Sequence, residues 1–418
     1  MAKIYYLGRE HDFSALVELV EALVQSKLSS LSLDARVKKI CELAKDLRKQ
    51  LAVSDSYFSS LIHKHYNTLG FSPHMLRWGF AQSLAQISEK QIFALISAQA
   101  PAKIWAKNEF CSPLCLMPAA TVPPATLQDL LLPLILPTAI ILRPSRRQFS
   151  FFRELLEWLS QAHVELASCI ALAEIAHEEE AELLELFSLS QCISLASSMQ
   201  TLKNVQAVCE RLKSETRPRI QAFAHRVSAA IIRQNEVACL CKADYDALAF
   251  DIRAWDLQGC LSPRYVAIEG EVEDCIKFAK TLESSIQNWE KTIPSLHLNT
   301  QEAAAQNIAR RTLALDAAEY FETEYCALVI YDKERSMANA LAANTLAIHP
   351  CKDALLALQT LSPYGQCLAS VRKLECAEQE RAKAFGFSHF CQFGEMQKPD
   401  LLWRRDGVGQ LAYLFASP

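Results

Sequence analysis

The sequence predicts an α/β protein with a helical N-terminal region, and three observations carry that prediction. The 418 residues are 51% hydrophobic and 22% charged, the profile of a globular chain with a large core rather than a disordered one. The first hundred residues show helical spacing only. Beyond about residue 103, short apolar runs alternate with helical stretches, the pattern of parallel βαβ units with helices on both faces of a sheet.

In chain order, Phe13 to Val24 is amphipathic. Val37, Ile40, Ala44 and Leu47 recur at helical spacing behind the cap candidates Ser32 and Asp34, and Leu76, Phe80, Leu84 and Ile87 follow Pro73 along one face. The first α/β series has expected strands at Thr138–Leu142, Val164–Leu172, Ile193–Ala196 and Ile220–Ala224, with helices near 148–161, 176–187 and 200–213. The second has expected strands at Ala229–Ile232, Val237–Cys241, Tyr265–Glu269 and Ala327–Tyr331, with helices near 271–289 and 302–320. No internal repeat, low-complexity tract or Pro/Gly-rich linker separates the series. The expected organisation is therefore a helical region (1–100) packed on a first α/β domain (101–228), a second α/β domain (229–390), and a C-terminal segment (391–418) that returns to the first domain or to an oligomer interface.

Composition narrows the function. Forty-three basic residues against 47 acidic give a formal charge of −4, so no strong field favours nucleic acid or anionic lipid. Positions 80 to 258 hold no glycine, which removes the glycine-dependent phosphate cradles from that span. The fifteen cysteines are odd in number and scattered, and the N-terminus lacks a signal-peptide core, so reduced thiols and a cytoplasmic location are expected. The most apolar run, Leu130 to Leu142, is broken by Pro133 and Pro137 and is too short to span a bilayer.

Four segments carry candidate chemistry. In Trp255-Asp256-Leu257-Gln258-Gly259-Cys260-Leu261-Ser262-Pro263, glycine and proline place Cys260 in a tight loop before a strand. A thiol held there by backbone suits a nucleophile; the plainer alternative is one ordinary cysteine among fifteen. Arg143-Pro144-Ser145-Arg146-Arg147 follows an expected strand, where open α/β sheets bind ligands. It is either a phosphate contact, including a ribose 2′-phosphate, or a solvated basic turn. Met117 to Pro124 is an apolar, proline-rich loop, fit to line a pocket or simply to connect. His225 follows an expected strand as a candidate base or ligand, or as a structural histidine. No metal is expected: Cys239 and Cys241 would share a strand face and Cys111 and Cys115 a helix face, neither at zinc-knuckle spacing, and no C-x-x-C or H-E-x-x-H occurs. The acidic run around Glu178–Glu180 reads as a solvated helix face.

Taken in order, Met117–Pro124 with Leu127–Leu132, Thr138–Ser145, Ala222–Ser228, Asp251–Glu269, Phe393–Pro399 and Trp403–Gly407 resemble the LuxC-type acyl-CoA reductases, a branch of the aldehyde dehydrogenase superfamily. Gly259-Cys260-Leu261-Ser262-Pro263 and Arg404-Arg405-Asp406-Gly407 are the most specific parts, and the likeness spans roughly 110 to 418. It implies an aldehyde-dehydrogenase-like fold: a nucleotide-binding parallel-sheet domain, an α/β catalytic domain bearing the cysteine, and a site in the cleft between them. It also implies NADPH-dependent reduction of a fatty acyl thioester to an aldehyde. Cys260 would be the nucleophile, Thr121 and His225 would belong to the catalytic site, and Arg143, Pro144, Ser145, Ala196 and Ser197 to the cofactor site. The substrate would be an acyl-CoA or acyl-carrier thioester, with an acyl-transferring partner protein and a homo-oligomer in keeping with the likeness.

Four positions depart from the family pattern. Thr121 stands for an asparagine that donates to the oxyanion, Arg143 for a lysine, Ala196 for a glycine in the cofactor turn, and Ala224 for a glycine before His225. They define a rival expectation, a catalytically impaired relative acting as a binding or scaffolding subunit. A cysteine thioesterase is a third reading, and it would need His225 to activate water.

Overall fold

The computed structural model describes residues 2–26, 28, 30–99, 110–224, 226–296, 300–315, 317–331 and 344–415. Two compact units emerge. One comprises Met1–His225 with Asp400–Leu402 and Val408–Pro418; the other comprises Arg226–Pro399 with Trp403–Gly407. The division falls at 225/226 rather than 228, and residues 391–399 and 403–407 belong with the second unit instead of returning to the first.

The first unit is built on a seven-stranded sheet. Its strands are β1 (Lys3–Tyr6), β2 (Arg9–Asp12), β3 (Leu114–Met117), β4 (Ile140–Leu142), β5 (Ile170–Glu174), β6 (Cys192–Ser197) and β7 (Arg219–Ala224), in the spatial order β2-β1-β5-β4-β3-β6-β7. From β5 to β7 the ladder is parallel, and its interior strands are the near-continuous apolar runs that a sheet covered on both faces requires. β1 and β2 form an antiparallel hairpin on the edge of β5, a correction to the all-helical reading of the first hundred residues. Leu7 and Gly8, at φ 47° and 75°, make its two-residue turn, and both adopt the left-handed values such a turn demands. Val164–Leu172 is also corrected: its first four residues form a helical turn, and the strand starts at Ile170.

Helices α1 (Leu16–Val24), α2 (Leu33–Leu51), α3 (Tyr57–Leu69), α4 (Pro73–Ala85) and α5 (Glu89–Gln99) precede β3. Ser32, Ser56 and Ser72 cap α2, α3 and α4, each hydroxyl accepting a backbone N–H of the first turn. Leu43, Leu47, Phe58, Ile62, Leu76 and Phe80 are fully or almost fully buried, and Phe58 and Phe80 meet Phe151 of the helix after β4.

The second unit carries β8 (Val227–Ile232), β9 (Pro263–Glu269), β10 (Glu319–Glu322), β11 (Ala327–Ile330), β12 (Thr345–Cys351), β13 (Gly365–Ser370) and β14 (His389–Gln392), ordered β10-β11-β12-β9-β8-β13-β14. All neighbours are parallel except β10 with β11. One face packs on the apolar sides of helices Lys242–Arg253 and Val272–Thr292 through Leu248, Ile252, Phe278, Leu282 and Ile286. The other is covered by Leu355, Leu358, Leu361 and Phe387. Val237–Cys241, expected as a strand, is instead the end of a helical turn and the approach to the next helix. Buried Glu236 accepts the Arg233 N–H at 3.0 Å and pairs with its guanidinium at 3.2 Å, which closes that turn. Cys239 and Cys241 are exposed. Among the described residues, no helix is long and apolar enough to cross a membrane.

Candidate active site

In the first unit the chain leaves β3 for β4 on one side, while β6 pairs with β3 on the other. The strand order therefore reverses at β3, and ligands of open α/β sheets bind at the carboxyl ends of strands beside such a reversal. Thr121 lies in the loop leaving β3. Arg143, Pro144 and Ser145 leave β4, and Ala196 and Ser197 end β6, so these six expected site residues share the carboxyl edge of one sheet. Cys260 belongs to the second unit. His225 lies outside the described residues.

Each position has a local cause. Val122, at φ 56°, turns the β3 loop into helix Pro123–Leu131. Gln148, completely buried, holds that loop: its side-chain N–H groups donate to the Ala119 carbonyl at 3.0 Å and to that of Thr121 at 3.5 Å, while its oxygen accepts from the Thr126 hydroxyl at 2.8 Å. Ser145 is the N-cap residue of the long helix Arg146–Ala162, but its hydroxyl makes no cap bond and is buried without a hydrogen-bond partner. Ser198 caps Met199–Glu210, accepting from Thr201 N–H. Two helix N-termini thus open onto the same edge, each a favourable place for an anion.

Arg143 is buried, with one bond to the Ile175 carbonyl at 2.8 Å and a buried Nε that makes no hydrogen bond. Burial pulls its pKa below the ordinary guanidinium value. Its charge is still felt, since His177 is held below its usual value first by burial and then by Arg143, with Arg146 adding to the effect. Arg146 and Arg147 are exposed. The edge is therefore electropositive, but Arg143 already spends one donor inside the protein.

Cys260 is exposed, in the turn between helix Lys242–Arg253 and β9. The approach is strained. Trp255, Asp256 and Leu257 all have left-handed backbones, at φ 60°, 49° and 56°, and none is glycine; each such residue costs roughly 1–2 kcal/mol. Tertiary contacts hold them. Trp255 and Leu257 are buried, and the Asp256 carboxylate binds the buried Arg253 guanidinium and accepts from the Ser295 hydroxyl. Arg253 also donates to the Ile293 carbonyl at 2.6 Å and lies over the Tyr325 ring. Strain maintained this way is found where a backbone must be presented in one conformation.

Three further side chains fix the cysteine turn. The Ser228 hydroxyl, fully buried on β8, donates to the Cys260 carbonyl at 2.6 Å and accepts the Cys367 N–H at 3.2 Å. The ladder slips on both sides of Ser228, against β9 and against β13, which is where a side chain replaces a missing ladder bond. Gln397 donates to the Ser262 hydroxyl at 3.3 Å and to the Asp251 carbonyl at 3.4 Å, and Gly394 N–H donates to the Asp251 carboxyl at 2.6 Å. Burial pushes the Asp251 carboxyl well up from its ordinary range. Gly394 adopts φ 83°, which explains a glycine inside Phe393–Pro399. Asp406, also left-handed at φ 54°, places its buried carboxylate 3.1 Å from Arg226, which donates to the Pro363 carbonyl. The two C-terminal motifs therefore brace the unit that bears Cys260.

Gln148, Ser228, Asp251 and Gln397 were not singled out by the sequence. Each acts through a contact distant in the chain, and none belongs to a local pattern; the only signal was that Ser228, Asp251 and Gln397 fall inside family-like stretches.

Comparison with known proteins bears on the fold and the family. The acyl-CoA reductase (LuxC) family pattern matches residues 119–416. No curated protein matches the chain. Among solved structures, the fold is similar to the aldehyde dehydrogenase KauB from Pseudomonas aeruginosa, with TM-score 0.70 and 14% identity over 96% of this chain and 84% of that one. It is also similar to the methylmalonate-semialdehyde dehydrogenase DddC from Oceanimonas doudoroffii, with TM-score 0.69 and 11% identity over 99% and 93%. A third likeness is to the P. syringae indole-3-acetaldehyde dehydrogenase AldA, solved with NAD+ and IAA, with TM-score 0.69 and 13% identity over 96% and 84%. At these identities the likeness is one of fold. Fold and matched span together place the chain in the acyl-CoA reductase (LuxC) family, on the aldehyde dehydrogenase fold.

Proposed function

We propose that the protein reduces a fatty acyl thioester, acyl-CoA or acyl-carrier-bound, to the aldehyde with NADPH, through an acyl-enzyme on Cys260. The observation that carries this reading is the exposed thiol on a strained turn fixed by Ser228, Gln397 and the Asp256–Arg253 pair. Such backing is more than a surface cysteine needs, and it suits a nucleophile that must keep one position.

Cys260, as thiolate, attacks the acyl carbonyl. A new carbon–sulfur bond forms, the bond to the carrier sulfur breaks, and the carrier leaves as a thiolate that takes up a proton. The backbone N–H of Cys260 would bind the developing oxyanion; Thr121 stands where the family has an amide, and its hydroxyl is a shorter donor. The residues fit a dinucleotide phosphate: the Ser145 hydroxyl and Arg143 Nε are buried without hydrogen bonds at a helix N-terminus. Arg143 and Ser145 would hold the ribose and its phosphate, with Pro144, Ala196 and Ser197 forming the surrounding backbone. When bound, NADPH supplies the hydride that reduces the thioester. Release of the Cys260 sulfur from the resulting hemithioacetal gives the aldehyde and regenerates the thiol. No water is activated, so the scheme makes no demand on His225.

The test is to incubate the full chain with acyl-CoA of several chain lengths and NADPH, following nicotinamide absorbance and trapped aldehyde, with Cys260→Ser alongside. Aldehyde formed only by the wild type supports the reading. Acyl-enzyme without NADPH oxidation would identify a transferase or hydrolase. Folded protein silent on both counts would support the scaffolding subunit, a reading favoured by Thr121 and by the Arg143 donor already committed to Ile175.

A further inference from the structure

We propose that Cys367, His389 and Cys391 form a binding site for a thiophilic divalent cation, of which Zn2+ is the type, with a fourth position open to water or another exogenous ligand. The three residues lie on neighbouring parallel strands β13 and β14, in register pairs Cys367 with His389 and Ala369 with Cys391. Residues paired in register point to the same face, and so do residues two apart on one strand, so all three side chains share a face. Their ligand atoms all lie within 4.8 Å of one another, and the two sulfurs are 3.6 Å apart. Sulfurs at that separation, each about 2.3 Å from a shared ion, would subtend about 103° at it, near the tetrahedral angle preferred by Zn2+. His389 Nε2 is buried without a hydrogen-bond partner, a cost that ligation would remove.

A disulfide fits the same pair less well. With strands about 4.8 Å apart and about 3.3 Å of rise per residue, Cys367 and Cys391 are diagonal neighbours with Cα atoms about 8 Å apart. Disulfides require about 4.4–6.8 Å, so bonding would have to move the backbone, whereas a bridging ion would not. β14 is the edge strand of its sheet, and His389 and Cys391 are only half-buried, which leaves the ion a route in. No local motif announces this site because its ligands come from two strands joined only by register. Loading is balanced by proton release: two thiols become two metal-bound thiolates, and two protons pass to solvent.

The site adjoins the cysteine turn, since Ser228 links the Cys367 N–H to the Cys260 carbonyl, but the proposal does not rest on the acyl chemistry and its test does not use activity. The full-length protein, reduced and stripped with a chelator, is titrated with Co2+. Stoichiometric sulfur-to-cobalt charge-transfer absorption with intense visible bands of tetrahedral cobalt is expected, displaced by one equivalent of Zn2+. Cys391→Ser should abolish the charge-transfer band or reduce it by at least half. His389→Asn should weaken affinity tenfold or more, with circular dichroism confirming that both variants are folded. Cys239→Ser/Cys241→Ser and Cys260→Ser should leave the band unchanged. A folded wild type that gives no such band would overturn the proposal. So would a band that survives in Cys391→Ser or vanishes with the surface pair, or a Cys367–Cys391 disulfide in the air-exposed protein that forms at the native backbone position.

Discussion

Removing the Ser228 hydroxyl is the sharpest probe of how the fold presents its cysteine. In Ser228→Ala the Cys367 N–H loses its acceptor in a fully buried place, at about 1–3 kcal/mol. The half-buried Cys260 carbonyl loses a donor, at about 0.5–1.5 kcal/mol more. The alanine methyl fills almost the same volume, so no cavity cost is added, and the local loss is about 1.5–4.5 kcal/mol. A chain of two units does not guarantee two-state unfolding, so the readout should be local: hydrogen exchange followed by mass spectrometry over peptides covering 258–263 and 365–370. At 1.4 kcal/mol per tenfold, exchange there should rise by about 10- to 1600-fold. A peptide covering β4 in the other unit should exchange as before. Turnover should fall with it, by about 100-fold for a nucleophile displaced by 1 Å. Exchange unchanged within about threefold would refute the claim that this hydroxyl secures the cysteine turn.

Three other outcomes follow from particular contacts. Arg143→Ala should raise the Kd for NADPH by tenfold or more and that for NADH far less, since a 2′-phosphate is the difference; equal loss for both, by fluorescence titration, would remove Arg143 from phosphate recognition. Asp256→Ala strips the carboxylate from buried Arg253 and from a left-handed turn, and about 3–5 kcal/mol of local stability should go with it; it should read as faster alkylation of Cys260 by iodoacetamide, and an unaltered rate would count against the strain argument. In the helical region, burial raises the Glu154 carboxyl but Lys64 and His65 outweigh it and hold the pKa below the ordinary value. A depressed carboxylate contributes stability that is present above its unfolded pKa and lost as pH falls through the folded one. The contribution is up to about 1 kcal/mol for a pair this exposed, so urea midpoints of wild type and Glu154→Gln should differ at neutral pH and converge in acid; a gap that widens in acid would reverse the assignment.

Some of this molecule is written locally. β4, β6, β8, β9 and β11 show as apolar runs because strands covered on both faces must be apolar throughout, and the turn at Gly259–Pro263 shows because glycine and proline specify backbone directly. Seven strands escaped: three of them, β3, β12 and β13, are interior and largely buried, and the other four are of another kind. β1, β2, β10 and β14 lie at or near sheet edges and carry Lys3, Arg9, Glu319 and His389, so their apolar signal is diluted. Val237–Cys241 misled in the opposite direction, its alternation overruled by a capping interaction from Glu236.

By itself, the sequence determined the α/β class, the absence of a glycine cradle, the tight turn at Cys260 and the family likeness. Each of these depends on residues near one another in the chain, where spacing and backbone preference act directly. Only tertiary structure decided that Arg143 would be buried and bonded to Ile175, that Gln148 would hold the Thr121 loop, and that Ser228 would join Cys260 to Cys367. It also decided that Cys367, His389 and Cys391 would meet across two strands. These depend on strand register and on which buried polar group is left needing a partner, quantities that no local window of residues contains.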